Sequence, residues 1–116
     1  MTMDRYLPIV GRTLIAALFI LAGVTKIFGP APFLAHMAQH RVPGFLLIAV
    51  IALEIGAGAG VLLGWKLRYT AGALAVFCMA TALIFHTNFS DKAERTSFVK
   101  DLAISGGLMV LAAAAT

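Results

Sequence analysis

Residues 44–64 read GFLLIAVIALEIGAGAGVLLG, a run in which Glu54 is the only charged side chain. Coiled as a helix at ~1.5 Å per residue, it extends about 31 Å, which matches the ~30 Å hydrocarbon thickness of a bilayer. Pro43 precedes it. A segment apolar on every side needs either a large protein core or lipid around it, and a chain of 116 residues has no room for such a core. The run therefore predicts a transmembrane helix with one carboxyl group near its middle.

Working outward, three more apolar runs appear. The first spans about 7–28, with Pro8 in its opening turn and Gly29-Pro30 as a stop signal. Arg12 interrupts it and Lys26 stands where a small-residue cleavage site would be needed, so it reads as a retained helix rather than a signal peptide. The third covers about 67–88. The fourth is instructive by its length: from Leu102 to Thr116 it would reach only about 22 Å, so to cross it must begin near Thr96 and run through 96–116. That places Lys100 and Asp101 in its first turns.

Between the first two runs, Phe33, Leu34, Met37 and Val42 alternate with His36, Gln39, His40 and Arg41, the pattern of a short amphipathic helix lying in the membrane interface. The turn Trp65-Lys66-Leu67-Arg68 is tight, with Trp65 and Tyr69 as interface anchors. The predicted fold class is all-α: an integral membrane four-helix bundle, one domain over residues 1–116, with a short interfacial helix between the first and second spans.

Composition agrees. The chain is 61% hydrophobic and 12% charged, with a mean hydropathy of +0.97, against roughly 45–50% and about 25% in ordinary soluble domains. The net charge of +4 comes from nine basic residues scattered singly between apolar runs. No basic patch forms, so nucleic acid is not an expected partner, and anionic lipid headgroups are. The expected location is a membrane that the chain crosses several times. Basic residues divide almost evenly between the two sides, while the short Lys66/Arg68 turn and the acid-free C-terminal end favour cytoplasmic termini.

An ionisable group in the membrane costs on the order of 2.5–3.5 kcal/mol even on the lenient insertion scale, so Glu54 should face the bundle interior and find a cation. Arg12 and Lys26 lie on one stripe of the first helix together with Phe19 and Gly23. Either can reach Glu54. Gly56 and Gly60 form a G-x-x-x-G pair, whose use is close backbone approach.

His86, Lys26, the His36/His40 connection, Lys100 and Asp101 gather at one membrane face. His86 suits an interfacial hydrogen bond or the handling of a proton or ligand; Lys100 and Asp101 also suit a solvated helix start. His36 and His40, at i and i+4, are a weak metal signal without acidic or thiolate ligands nearby, and no metal is expected. Cys78, the lone cysteine, reads as a small buried hydrophobe.

With these residues in view, the chain resembles the DoxX family of small bacterial four-helix membrane proteins. The resemblance rests on Arg12 followed by Phe19-Ile20-Leu21-Ala22-Gly23-Val24-Thr25-Lys26, on Leu53-Glu54-Ile55-Gly56-Ala57-Gly58, and on Leu62-Leu63-Gly64 with Arg68. It continues in Phe85-His86 and in Lys100-Asp101-Leu102-Ala103 with Gly106-Gly107. It implies that Arg12, Lys26, Glu54, Arg68, His86, Lys100 and Asp101 are the site residues. Some DoxX-like proteins are associated with redox systems, among them archaeal thiosulfate:quinone oxidoreduction and a membrane-bound oxidant-detoxifying assembly in mycobacteria. The absence of a cysteine pair argues against self-contained sulfur transfer here.

The expected function is a membrane subunit or anchor of a redox system that binds a small amphipathic ligand, a quinone being the expected cofactor, near Glu54, Lys26 and His86. Redox proteins and further copies of the chain, associating through glycine-rich faces, are the expected partners. Two alternatives stand beside it: a small-solute or proton transporter in which Glu54 titrates, and a structural partner protein whose buried charges only fix helix register. Nothing in the pattern decides whether the chain is an enzyme.

Overall fold

A computed structural model describes residues 2–85 and 90–115. It contains five helices: α1 (Thr2–Phe28), α2 (Ala31–Gln39), α3 (Leu46–Leu63), α4 (Leu67–Phe85) and α5 (Lys92–Ala114). Four of them are long and apolar enough to cross a membrane, the exception being α2. The all-α, four-span architecture with a short helix between the first two spans is therefore what the chain adopts.

The boundaries follow local chemistry. Gly29-Pro30 ends α1, and the Gly29 N–H closes the last turn on the Thr25 carbonyl at 2.9 Å. At the end of α3, Gly64 takes a left-handed φ of 72°. Trp65 N–H donates to Gly60 O (2.8 Å) and Gly64 N–H to Val61 O (3.3 Å), which satisfies carbonyls that the helix end would leave orphaned.

Two expectations are corrected here. Helix α1 continues upstream to Thr2, so Pro8 lies inside it and not in its opening turn; the hydrogen bond it forfeits is close to the helix end, where water can substitute. Helix α5 begins at Lys92 rather than near Thr96, because Asp91 is an effective N-cap whose side chain accepts from Ala93 N–H at 2.9 Å.

The bundle is built from two helix pairs. Helix α1 packs along α3, α4 packs along α5, and α3 joins α4. Contacts of Gly23 with Ile55, Gly58 with Ile20 and Gly64 with Arg12 give α1 and α3 an antiparallel register. The interior mixes small side chains with a few larger ones: Ala16, Ala71 and Ala82 are fully buried beside Val61, Leu74 and Leu108, whereas Leu63, Ile48 and Val110 are more than 70% exposed. Large apolar groups outside and small ones among those buried are a packing that lipid favours, since tails solvate leucine as well as a core would and close helix approach is the remaining gain.

One polar contact ties the second pair together. Ser105 Oγ donates to the Ala75 carbonyl at 2.9 Å, fully buried. Ser105→Ala should destabilise the protein by about 1 kcal/mol, the usual worth of an interhelical hydrogen bond in a membrane; chemical unfolding in detergent micelles would measure it, and an unchanged midpoint would show the bond to be idle.

The G-x-x-x-G expectation needs correction. A side chain on Gly60 would meet Thr70 of α4 at 2.5 Å, but Gly56, one turn away on the same face, has nothing within 4 Å. The glycine that faces α1 is instead Gly58, against Ile20 and Phe19. Helices α3 and α4 meet at Gly60 and Thr70 beside their connecting turn, and one turn on the space beside Gly56 is open, so only one of the pair serves as a contact.

Candidate functional site

Glu54 is the ninth residue of α3 and is 3% exposed. Its Oε1 lies 2.8 Å from the Lys26 ammonium, an ion pair with side-chain exposures of 4% and 15%. The geometry follows from the helices. Cα–Cβ bonds tilt toward a helix N-terminus, so Lys26, in the last turn of α1, is directed back into the membrane, where a lysine at a helix end would otherwise stretch to the headgroups. Gly23, one turn earlier, lets α1 approach α3 closely: a Cβ there would lie 2.6 Å from Ile55 and 3.5 Å from the Glu54 Cβ. On its other side the Lys26 ammonium lies 4.9 Å from the centre of the Phe33 ring of α2, a cation–π contact.

The ion pair lies in the wall of a cavity of about 490 Å³ to which all five helices contribute. Its polar residues are Lys26, Glu54 and Asp101, with His36, Cys78 and Thr81; the rest of the lining is apolar, including Phe19, Phe77, Val50 and Ile104. Helix α2 contributes Phe33, His36 and Met37 to one end of the cavity. His36 and His40 both pack their rings on Phe85 of α4, each at 5.0 Å between centroids, and on each other at 4.9 Å. The His40 Nδ1–H donates to the His36 carbonyl at 3.1 Å. The i, i+4 histidine pair thus fastens α2 to α4 through aromatic contact.

The proposed site residues fall into three groups. Lys26, Glu54 and Asp101 meet at the cavity. His86 lies outside the described residues. Arg12, Arg68 and Lys100 lie elsewhere. Arg12 does share the α3-facing stripe with Lys26, but 14 residues of rise, about 21 Å, carry it to the opposite end of the bundle. There its guanidinium packs on Gly64 at the C-terminus of α3, a position that suits a cation beside the negative end of the helix dipole. Arg68 is exposed in the first turn of α4. Lys100 is exposed because the ~100° step between neighbouring helical residues turns it away from the cavity face that Asp101 occupies.

Sequence reasoning misses Phe33, Cys78 and Phe85 as lining residues, but places the His36/His40 connection in the polar cluster with Lys26 and Asp101, where His36 lies. A signal was present in α4: Phe77, Cys78, Thr81 and Phe85 fall at i, i+1, i+4 and i+8, a single stripe of larger and polar groups on a helix otherwise rich in alanine.

What this arrangement offers chemically is a water-poor chamber with one ammonium, two carboxyl groups and a thiol at its polar end. An ammonium carries three donors, and here Glu54 and the Phe33 face use only part of that capacity. In a low-dielectric setting, a hydrogen bond to such a group is stronger than in water.

Comparison with known proteins agrees with this architecture. The DoxX family model matches residues 7–87, from α1 through the end of α4. The chain is 44% identical over 104 residues to the inner membrane protein YqjF of Escherichia coli (strain K12), covering 90% of this chain and 80% of that one. No solved structure matches it. A family match over most of the length, a relative of this identity and coverage, and four helices fit to span a bilayer together make the chain an integral inner-membrane protein of the DoxX family.

Proposed function

We propose that this protein binds a small amphipathic molecule, with a quinone as the expected ligand, in the cavity beside Glu54 and Lys26, and serves a redox system as its membrane subunit or anchor. The observation that carries the reading is the coincidence of the ion pair with the cavity. A Lys–Glu pair needed only to fix helix register would be packed in on all sides. This one borders about 490 Å³ of space walled largely by apolar side chains, the combination of apolar body and few polar anchors that small-molecule sites share.

A quinone fits that chemistry in both parts. Its ring is apolar and flat, suited to the Phe19 and Phe77 walls, and its carbonyl oxygens accept hydrogen bonds, which Lys26 can donate. The geometry favours binding over transport. Beyond the cavity, toward the α3–α4 turn, the interior is filled by Ala16, Val61, Leu74 and Leu108, all fully buried, and this packed layer interrupts a path across the bundle.

The test uses the full chain in lipid nanodiscs, titrated with decylubiquinone. Loss of the charge-assisted hydrogen bond that Lys26 donates is worth about 1.5–3 kcal/mol, so Lys26→Met should weaken binding by about 10- to 100-fold, and Glu54→Gln, which removes the carboxylate that positions the ammonium, should weaken it as well. Equal binding by all three proteins, or binding by none, would overturn the reading.

A further inference from the structure

Among the described residues, the cavity is covered at one end by α2 and borders exposed apolar side chains of α3 and α4. At the covered end, α2 lays Phe33, His36 and Met37 over it, and Met37 is buried. The His36, His40 and Phe85 rings pin that helix to α4. Between α3 and α4 the packing differs. These helices are in contact at Gly60 and Thr70 beside their turn, but one turn further on Gly56 meets nothing. Further still, Leu46 and Val50 of α3 and Ala80 and Ile84 of α4 all line the cavity. Leu46 and Ile84 line the cavity and are at the same time 38% and 45% exposed; Ala80 is exposed as well.

We infer that the cavity is filled sideways from the bilayer, through an opening between α3 and α4 framed by Leu46, Val50, Ala80 and Ile84, and that its ligand keeps a long apolar tail in that opening while the head rests beside Lys26 and Glu54. This rests on the ligand-binding reading above and adds to it the route and the molecular class: a tailed, membrane-dissolved molecule, not a water-borne solute. The depth is right for such a tail. Ala80 is five residues, about 7.5 Å of rise, from Phe85, the last described residue of α4, and so lies within an apolar span fit to cross the bilayer. The frame carries no polar side chain, so a hydrocarbon tail crossing it leaves nothing unsatisfied, whereas a hydrated solute would shed its water there. Glu54 is eight residues from Leu46, about 12 Å along α3, so a ring-sized head beside the ion pair has its tail attached within reach of the frame.

The experiment compares two probes on the full chain in nanodiscs: decylubiquinone, and the same head group without its tail, 2,3-dimethoxy-5-methyl-1,4-benzoquinone. Ala80→Trp and, from the facing helix, Leu46→Trp narrow the opening from positions that already face outward, so neither disturbs the packed core. Both variants should weaken decylubiquinone by tenfold or more and change the tail-less probe by less than twofold. The wild-type protein should favour the tailed probe beyond its greater partition into the lipid. If the variants weaken both probes alike, or neither, the sideways route is overturned while binding at the ion pair stands. If the wild type binds neither probe, both readings fall. A variant that does not fold is recognised by its lost thermal transition, and its counterpart on the opposite helix then decides the matter.

Discussion

Lys26→Met will cost the folded protein about 3–5 kcal/mol, the penalty for leaving a buried charge without its partner, while Glu54→Gln will cost only about 1–2 kcal/mol, nearer the worth of an ordinary interhelical polar contact. The asymmetry comes from position. Glu54 sits at mid-helix and is 3% exposed, so without Lys26 it has no path to water. Lys26 is in the last turn of α1 with its side chain 15% exposed; deprived of Glu54, it can swing out to the headgroups. The double variant should recover most of what Lys26→Met alone loses, since a neutral glutamine needs no counter-charge. Unfolding in mixed micelles measures all three. Equal penalties for the two single changes, or strict additivity in the double, would show that the pair is not coupled in the way its 2.8 Å separation indicates.

The second large effect concerns glycine. Gly60→Ala should destabilise by about 1–3 kcal/mol, the range for forcing a group into a filled interior. The new Cβ would lie 2.5 Å from the Thr70 Cγ2 and 3.2 Å from its Cβ. Thr70 has little freedom to yield: it is buried, branched at Cβ, and its hydroxyl is held among the carbonyls of Trp65, Lys66 and Leu67. Gly56→Ala, one turn away, should be neutral or stabilising by up to about 1 kcal/mol, because alanine is the better helix former and meets nothing there. A thermal shift assay on the two variants separates them by sign. Matching losses would mean that α3 and α4 pack together along their length, contrary to the open space beside Gly56.

What the amino-acid order reveals and what it conceals divide along one physical line. Spans were legible because lipid acts on each residue separately: length, apolarity and stop signals such as Gly29-Pro30 need no knowledge of neighbours. The inward placement of Glu54 was legible for the same reason, as was the stripe joining Arg12, Phe19, Gly23 and Lys26. Which cation Glu54 meets was not, because that depends on the register of α1 against α3, fixed by Gly23 and Gly58 together with the residues they admit. Arg12 and Lys26 are equivalent on a helical wheel and differ only in axial level. Lys100 and Asp101 adjoin in the chain, yet helical rotation sends one outward and the other to the cavity. Cys78 reads as a small buried hydrophobe and is one, 4% exposed within the core cluster; that it also borders the cavity has no local signature, because the wall arises from four other helices.

The grip of α3 on α4 at Gly60 and Thr70 is set at one end of both helices, with the chamber at the other. Viewed as levers, the α1–α3 and α4–α5 pairs are two arms joined at the Trp65 turn. An arm of 18 residues is about 27 Å long, so swinging it by about 5° displaces its tip by about 2 Å. A small change of angle at that turn is thereby magnified at the far end of the bundle, where the cavity lies.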